Sequence, residues 1–281
     1  MRRLVIRPGA IGDTIVSLPA LERLCSNEFG VSEAEIWAPA RNLPLLRHIA
    51  PVRSFTSVQI DLFEIDPPFA LTERLRTFDE IVSWYGAARE EFGTALRSVG
   101  VPYRLLRALP PEGSDCHAVD FYLRQAGFDA AVSQRIAPRL PIPRRGRTQG
   151  EEFIAIHPFS GSRSKNWPLS SFRSAADRLT GITGLPCQWC AGPEEELSAA
   201  LRFDGLEEVA RWLSGASLYL GNDSGISHLA AACGVPSVVV FRASDAAVWT
   251  PRGPHVAVLN MPDVAETVET SLALLRAEGE G

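Results

Sequence analysis

The chain has 281 residues, 46% hydrophobic and 22% charged, with a formal net charge of −5. This is the composition of a soluble globular protein with room for two ordinary domains, and it excludes disordered, collagen-like and disulfide-scaffold chains. The acidic balance argues against a nucleic-acid-binding face, and no apolar run approaches the roughly 18 residues of a membrane span.

In chain order, Leu4–Arg7 reads as a first strand. Its basic front is followed by far too short an apolar stretch for a signal peptide, so a cytoplasmic location is the expectation. The turn Arg7-Pro8-Gly9-Ala10-Ile11-Gly12-Asp13-Thr14 comes next, then a helix over Asp13–Cys25 and a strand at Glu35–Ala38. Gly9 and Gly12 permit close backbone approach, but their spacing is not the GxGxxG of a dinucleotide site. Asp13 stands at a helix start beyond the carboxyl end of a strand. It suits a helix N-cap, and equally a carboxylate projecting into a cleft as a general base; the segment alone favours the cap. Between Phe55 and Arg107 the pattern is weak, apart from a strand at Ile81–Trp84. The nearest approach to an acidic metal motif, Glu64-Ile65-Asp66, lies in that stretch.

The run from Arg135 to Arg147 alternates proline and arginine and cannot hold a regular helix. It reads as a solvated interdomain linker, with a patch for anionic lipid or phosphate as the sharper alternative. It places the domains at 1–147 and 148–281. The second half then alternates clearly: strand Phe153–His157, helix Ser170–Leu179, strand 187–191, helix Leu206–Leu213, strand Leu218–Leu220, helix Ile226–Cys233 and strand Ser237–Phe241. Short apolar strands separated by helices predict doubly wound parallel sheets, and two such Rossmann-like α/β domains would face each other across a cleft.

Of the 28 basic residues only Lys165 is lysine. An ammonium is a compact point charge where guanidinium is a broad fork, so a tight site can require the first and reject the second. Lys165 lies in His157-Pro158-Phe159-Ser160-Gly161-Ser162-Arg163-Ser164-Lys165-Asn166-Trp167-Pro168, a strand-to-helix loop of small hydroxyl residues suited to wrapping phosphate oxygens. A second helix start, Asn222-Asp223-Ser224-Gly225, presents free amides and the positive helix end to the same sheet edge; Asp223 as a simple N-cap is the plainer reading. Gly192-Pro193-Glu194-Glu195-Glu196 offers carboxylates after a strand, either as dipole partners or as ribose ligands. Cys187 and Cys190 form a CxxC whose members point to opposite faces of a strand, and no second pair completes a zinc site, so all five cysteines read as reduced structural thiols.

Taken together, Gly12-Asp13 with Ser17-Leu18-Pro19-Ala20-Leu21, the His157–Pro168 block, Gly192-Pro193-Glu194-Glu195 and the Gly221–Pro236 block resemble glycosyltransferase family 9, which contains the ADP-heptose:lipopolysaccharide heptosyltransferases. The motifs fall in family order over residues 5 to about 253. The resemblance implies a GT-B fold with the nucleotide-sugar in the C-terminal domain and the acceptor in the N-terminal one. It also implies an inverting transfer of a sugar, heptose foremost, to a lipopolysaccharide-core or related glycan acceptor, with no essential metal and no cofactor besides the ADP-sugar. By position, Asp13 would be the base, and Ser160, Gly161, Ser162 and Lys165 would contact the donor's diphosphate and sugar. Glu194 would hold the ribose, Asp223, Ser224 and Gly225 would bind sugar and phosphates, and His228 would support that loop. Any membrane contact would be peripheral, at the inner face.

This chain departs from the family pattern in two ways. Its first half is short, where the acceptor should bind. After the last matched strand it reads Phe241-Arg242-Ala243-Ser244-Asp245-Ala246-Ala247-Val248-Trp249-Thr250-Pro251-Arg252-Gly253, whereas the family pattern has Gly-Pro-Thr-Asp-Pro near the start; Asp245 and Trp249 fit and the rest has drifted. The main alternative is therefore a non-catalytic nucleotide-sugar-binding protein with a reduced acceptor domain, against which the presence of Asp13 argues. A nucleotide-sugar epimerase or hydrolase ranks third, and an NAD-dependent oxidoreductase last.

Overall fold

The computed structural model describes residues 1–129, 136–144 and 152–279. The chain forms two compact units, Met1–Ile136 and Ala137–Gly281.

The N-terminal unit holds five strands: β1 (Arg2–Ile6), β2 (Glu33–Ala38), β3 (Val52–Ser54), β4 (Glu80–Ser83) and β5 (Tyr103–Leu105). They form one parallel sheet in the order β3-β2-β1-β4-β5. From Leu4 to Ile6 every residue of β1 is fully buried, because a central parallel strand is covered on both faces. One face packs Leu4, Ile6, Trp37 and Ile81 against Phe63, Leu75, Phe92 and Leu96. On the other lie helices Leu18–Cys25 and Ala118–Gln125.

The expected single helix over 13–25 is two, Ile11–Val16 and Leu18–Cys25. Pro19 lacks the N–H that would bond back across the junction, and the Ser17 hydroxyl donates to Thr14 O at 2.9 Å instead of facing solvent. The weakly patterned stretch 55–107 resolves into short elements: a helical turn Phe55–Val58, helix Phe69–Leu75, β4, helix Glu90–Val99 and β5. The two edge strands of this sheet, β3 and β5, are only three residues long, too short to show any period.

The C-terminal unit repeats the plan with β6 (Ile154–His157), β7 (Cys187–Trp189), β8 (Leu218–Asn222), β9 (Ser237–Phe241) and β10 (Val256–Asn260), parallel throughout, in the order β10-β9-β8-β6-β7. Helices Leu169–Thr183 and Val264–Gly279 pack together on one face, where Ile154, Ile156, Leu220, Val238 and Val240 meet Phe172, Ala175, Leu179 and Val268. Full burial of such side chains stabilises the unit by about 1.5–3 kcal/mol each.

The proline- and arginine-rich segment is not a solvated connector. Leu140 is buried and its N–H donates to Ala232 O at 3.0 Å. Arg144 reaches Ala216 O at 2.7 Å and Ser214 O at 3.3 Å. The prolines leave this strip extended, so its backbone and side-chain donors find partners on the C-terminal unit, and the division between units falls at 136/137 instead of the expected 147/148. Arg135, Arg145 and Arg147 of that segment lie outside the described residues. Among the described residues no helix is long and apolar enough to cross a membrane.

Candidate active site

Each sheet reverses its winding beside its first strand: between β1 and β4 in the N-terminal unit, and between β6 and β8 in the C-terminal unit. At such a point the loops leaving the two neighbouring strands diverge to opposite faces and open a crevice at the carboxyl edge. Asp13 in the first unit, and the 158–167 loop and the Asp223 turn in the second, follow the strands at these points, whereas Glu194 follows the edge strand β7.

In the C-terminal unit, His157 ends β6 opposite Gly221 of β8. The loop that follows is held by Asn222, whose side chain is fully buried. Its Nδ2 donates to Pro158 O at 2.8 Å and its Oδ1 accepts from the Trp167 N–H at 2.8 Å, so one amide pins both ends of the loop. Within the loop, Ser160 Oγ lies 2.8 Å from Ser162 O and 2.7 Å from Asn166 Oδ1, and the hydroxyls of Ser162 and Ser164 are 2.8 Å apart. A Cβ on Gly161 would meet nothing within 4 Å.

Lys165 Nζ lies 2.7 Å from Asp223 Oδ2, joining the loop after β6 to the turn after β8. Asp223 is buried, and the Ser244 hydroxyl, arriving from beyond β9, donates to the same oxygen. Asp223 is therefore not the helix cap: Ser224 caps helix Gly225–Ala232, its Oγ accepting from the Ser227 N–H, and the Asp223 side chain is left to bind the ammonium. The Gly225 and Ile226 amides stand in the first turn, where no intrahelical acceptor exists. Residues 224–226 are half-buried, flanked on both sides by fully buried neighbours, so this helix start is where the chain meets the surface. His228 is buried one turn further in.

After β7, Glu194 is exposed and Glu195 turns inward. Glu195 Oε2 accepts from the Gly192 N–H at 2.6 Å and lies 3.2 Å from His157 Nε2, while Arg202 bonds the carbonyls of Gly192 and Glu195. Burial pushes the Glu195 carboxyl up, but its contacts with His157, the Gly192 amide and Arg202 outweigh that and hold it below its ordinary value.

In the N-terminal unit, Asp13 is the third residue of helix Ile11–Val16, and its Oδ2 accepts from the Ala10 N–H at 2.9 Å. It serves the helix start from within, so the cap reading holds in function though not in position. Gly9 has φ +111°, and a Cβ there would fall 2.7 Å from Asp13 Cβ and 2.9 Å from its Oδ2, so only glycine fits beneath this carboxylate. The turn is fastened from below by Arg7, which is fully buried: Nη2 donates to Asp13 O at 2.6 Å, Nε to Ser17 Oγ at 2.8 Å, and the guanidinium lies over Trp84 and Tyr122. Asn42 fastens it from the side, donating to Gly9 O at 3.1 Å and Thr14 Oγ1 at 2.8 Å.

The Glu64 carboxylate pairs with Arg89 at 2.7 Å. Among the described residues no three His, Cys, Asp or Glu side chains gather in a way that could hold a metal ion. None of the cysteines is in a disulfide, and burial pushes the Cys25, Cys190 and Cys233 thiols up to about 12.

Residues 117–271, more than half of the chain, match the model of glycosyltransferase family 9 (heptosyltransferase). The chain belongs to this family. Over 150 residues it is 29% identical to lipopolysaccharide heptosyltransferase 1 of Escherichia coli K12, a stretch covering 49% of this chain and 45% of that enzyme. It thus matches less than half the length of the curated relatives it resembles. Among solved structures, a family 9 glycosyltransferase from Veillonella parvula superposes with a TM-score of 0.74 at 17% identity, over 98% of this chain and 97% of that one. The E. coli heptosyltransferase WaaC, solved with ADP-2-deoxy-2-fluoro heptose, superposes with a TM-score of 0.61 at 16% identity, over 99% and 100%. At these identities the likeness is one of fold, and it extends over both units of this family 9 chain.

Asn222, Ser244, Arg7 and Asn42 were not singled out from the sequence. Asn222 and Ser244 stand inside or beside recognised motifs, so their place was visible, but what their side chains hold depends on which strands become neighbours.

Proposed function

We propose that this protein is an inverting glycosyltransferase that moves a sugar, heptose foremost, from an ADP-sugar to a hydroxyl of a lipopolysaccharide-core or related glycan acceptor. The observation that carries the reading is the family match through the C-terminal unit, where the Lys165–Asp223 pair joins two ligand-suited loops at the switch point of the sheet. WaaC, a neighbour in fold, is solved with an ADP-sugar analogue, which supports the same donor class.

In this reading the C-terminal unit takes the donor. The diphosphate accepts from Lys165, the hydroxyls of Ser160 and Ser162 and the Gly225 amide, and Gly161 leaves room for its oxygens where nothing local demands a glycine. Asp223 and Ser224 face the sugar hydroxyls, Glu194 the ribose diol, and His228 backs the helix start. When the bond from the anomeric carbon to the diphosphate breaks, charge develops on the leaving oxygen, and fixed cations and amides stabilise it most where water is excluded. That arrangement needs no metal. The N-terminal unit takes the acceptor, and Asp13, held at one oxygen by the Ala10 amide, removes the proton from the attacking hydroxyl with its other. The protein acts in the cytoplasm and touches the membrane only peripherally, through its acceptor.

Calorimetric titration with ADP, ADP-heptose and UDP in the presence of a chelator, on wild type and Lys165→Ala, tests the donor site. Metal-free preference for the adenosine ligands, weakened in the variant, is expected; no binding, or preference for UDP, would refute it. Asp13→Asn should then bind donor as wild type does and transfer nothing. Turnover in that variant would remove Asp13 as base.

A further inference from the structure

We propose that Arg242 is a second cation for the donor's diphosphate, a contact the family pattern does not supply. The inference rests on reading the C-terminal unit as the donor unit. Where the pattern has glycine directly after this strand, the chain has Arg242, following the last residue of β9 at the carboxyl edge of the sheet. The neighbouring turn belongs to the site already described: the Asp223 N–H donates to Val240 O at 2.9 Å.

The guanidinium does not drift free of that edge. Arg242 Nη1 donates to Asn166 O at 2.7 Å, which sets the group beside the residue that follows Lys165. The acceptor is a neutral carbonyl, and among the described residues no carboxylate forms an ion pair with Arg242. Its charge is therefore uncompensated, it is exposed, and its remaining N–H donors are available in the planar fork that matches phosphate oxygens.

Lys165 is differently placed from Arg242. Lys165 already faces Asp223, and Ser244 donates to the same carboxylate oxygen, so the pair brings no net positive charge to a diphosphate. A nucleoside diphosphate carries more than one negative charge, and a neutral Lys–Asp pair offers direction but little net attraction. Arg242 adds a charge that no carboxylate among the described residues pairs with, fastened to the same loop through the Asn166 carbonyl. The departure from the family motif then has a chemical consequence, because a glycine position at the edge of the site has become the anchor point of a phosphate ligand.

The test is titration of wild type, Arg242→Gln, Arg242→Lys and, as a remote cation on the same unit, the exposed Arg173→Gln, with ADP and with adenosine at two salt concentrations. Arg242→Gln is expected to weaken ADP about tenfold, the scale of one charge-assisted hydrogen bond, and to leave adenosine within twofold. Its ADP affinity should also respond less to salt, because one attraction that salt screens is gone. Arg242→Lys should fall between, and Arg173→Gln should match wild type. Equal ADP affinity in Arg242→Gln, or an equal loss for ADP and adenosine, would overturn the inference, the second outcome marking Arg242 as a loop anchor only. Failure of the wild type to bind any adenosine ligand would instead sink the donor-unit reading, and the inference with it.

Discussion

Asn222→Ala tests the way the donor-side loop is built. The Asn222 amide is fully buried and makes two hydrogen bonds of 2.8 Å, to Pro158 O and from the Trp167 N–H, both on buried residues. Removing the side chain strands one carbonyl and one N–H away from water, at about 1–3 kcal/mol each. Together they amount to about 4 kcal/mol, which for a unit of this size lowers the melting temperature by roughly 10 °C. Both ends of the 158–167 loop are released at once, so ADP affinity should fall at least about tenfold, beyond what the stability loss imposes on a still folded protein. Asn222→Asp is the discriminating partner. Its carboxylate can still accept from the Trp167 N–H but turns an acceptor towards Pro158 O, so it should be as damaging as alanine. Scanning calorimetry and ADP titration at a temperature well below both transitions read the two effects. A melting temperature within about 2 °C of wild type, with unchanged ADP affinity, would refute the claim that this one amide holds the loop.

Two further outcomes follow from the geometry. Gly9→Ala places a Cβ 2.7 Å from Asp13 Cβ on a backbone at φ +111°, so it should cost about 1–3 kcal/mol and abolish transfer while ADP binding stays intact; full turnover would show that the turn under Asp13 is not constrained. Glu195 has its carboxyl held below its ordinary 4.5 by His157, the Gly192 amide and Arg202 acting against burial. A depressed acid adds stability that is complete above the unfolded value and lost as pH falls through the folded one. Denaturation of wild type and Glu195→Gln should therefore show a constant gap near neutral pH that shrinks below pH 4.5. A gap equally wide at pH about 3.5 would contradict the assignment.

The sequence alone determined a good deal. Alternating apolar strands and helices in the second half define a parallel α/β unit, because a strand buried on both faces must be apolar throughout and its crossover must be helical. The lone Lys165, the Asp13 turn and the Asp-Ser-Gly helix start were legible as well, since each is a local pattern whose chemistry does not depend on distant residues. What tertiary structure decided is partnership. That Lys165 faces Asp223, 58 residues away, and that Asn222 closes the loop around it, follows from β6 and β8 lying side by side though β7 separates them in sequence. The short edge strands carry no period, and the Pro- and Arg-rich strip looks like a linker until its donors find the carbonyls of the C-terminal unit. Local propensity selects the elements. Strand order selects which side chains meet, and no local pattern encodes it, because hydrogen bonds and ion pairs across a sheet edge are made only after the whole sheet has assembled.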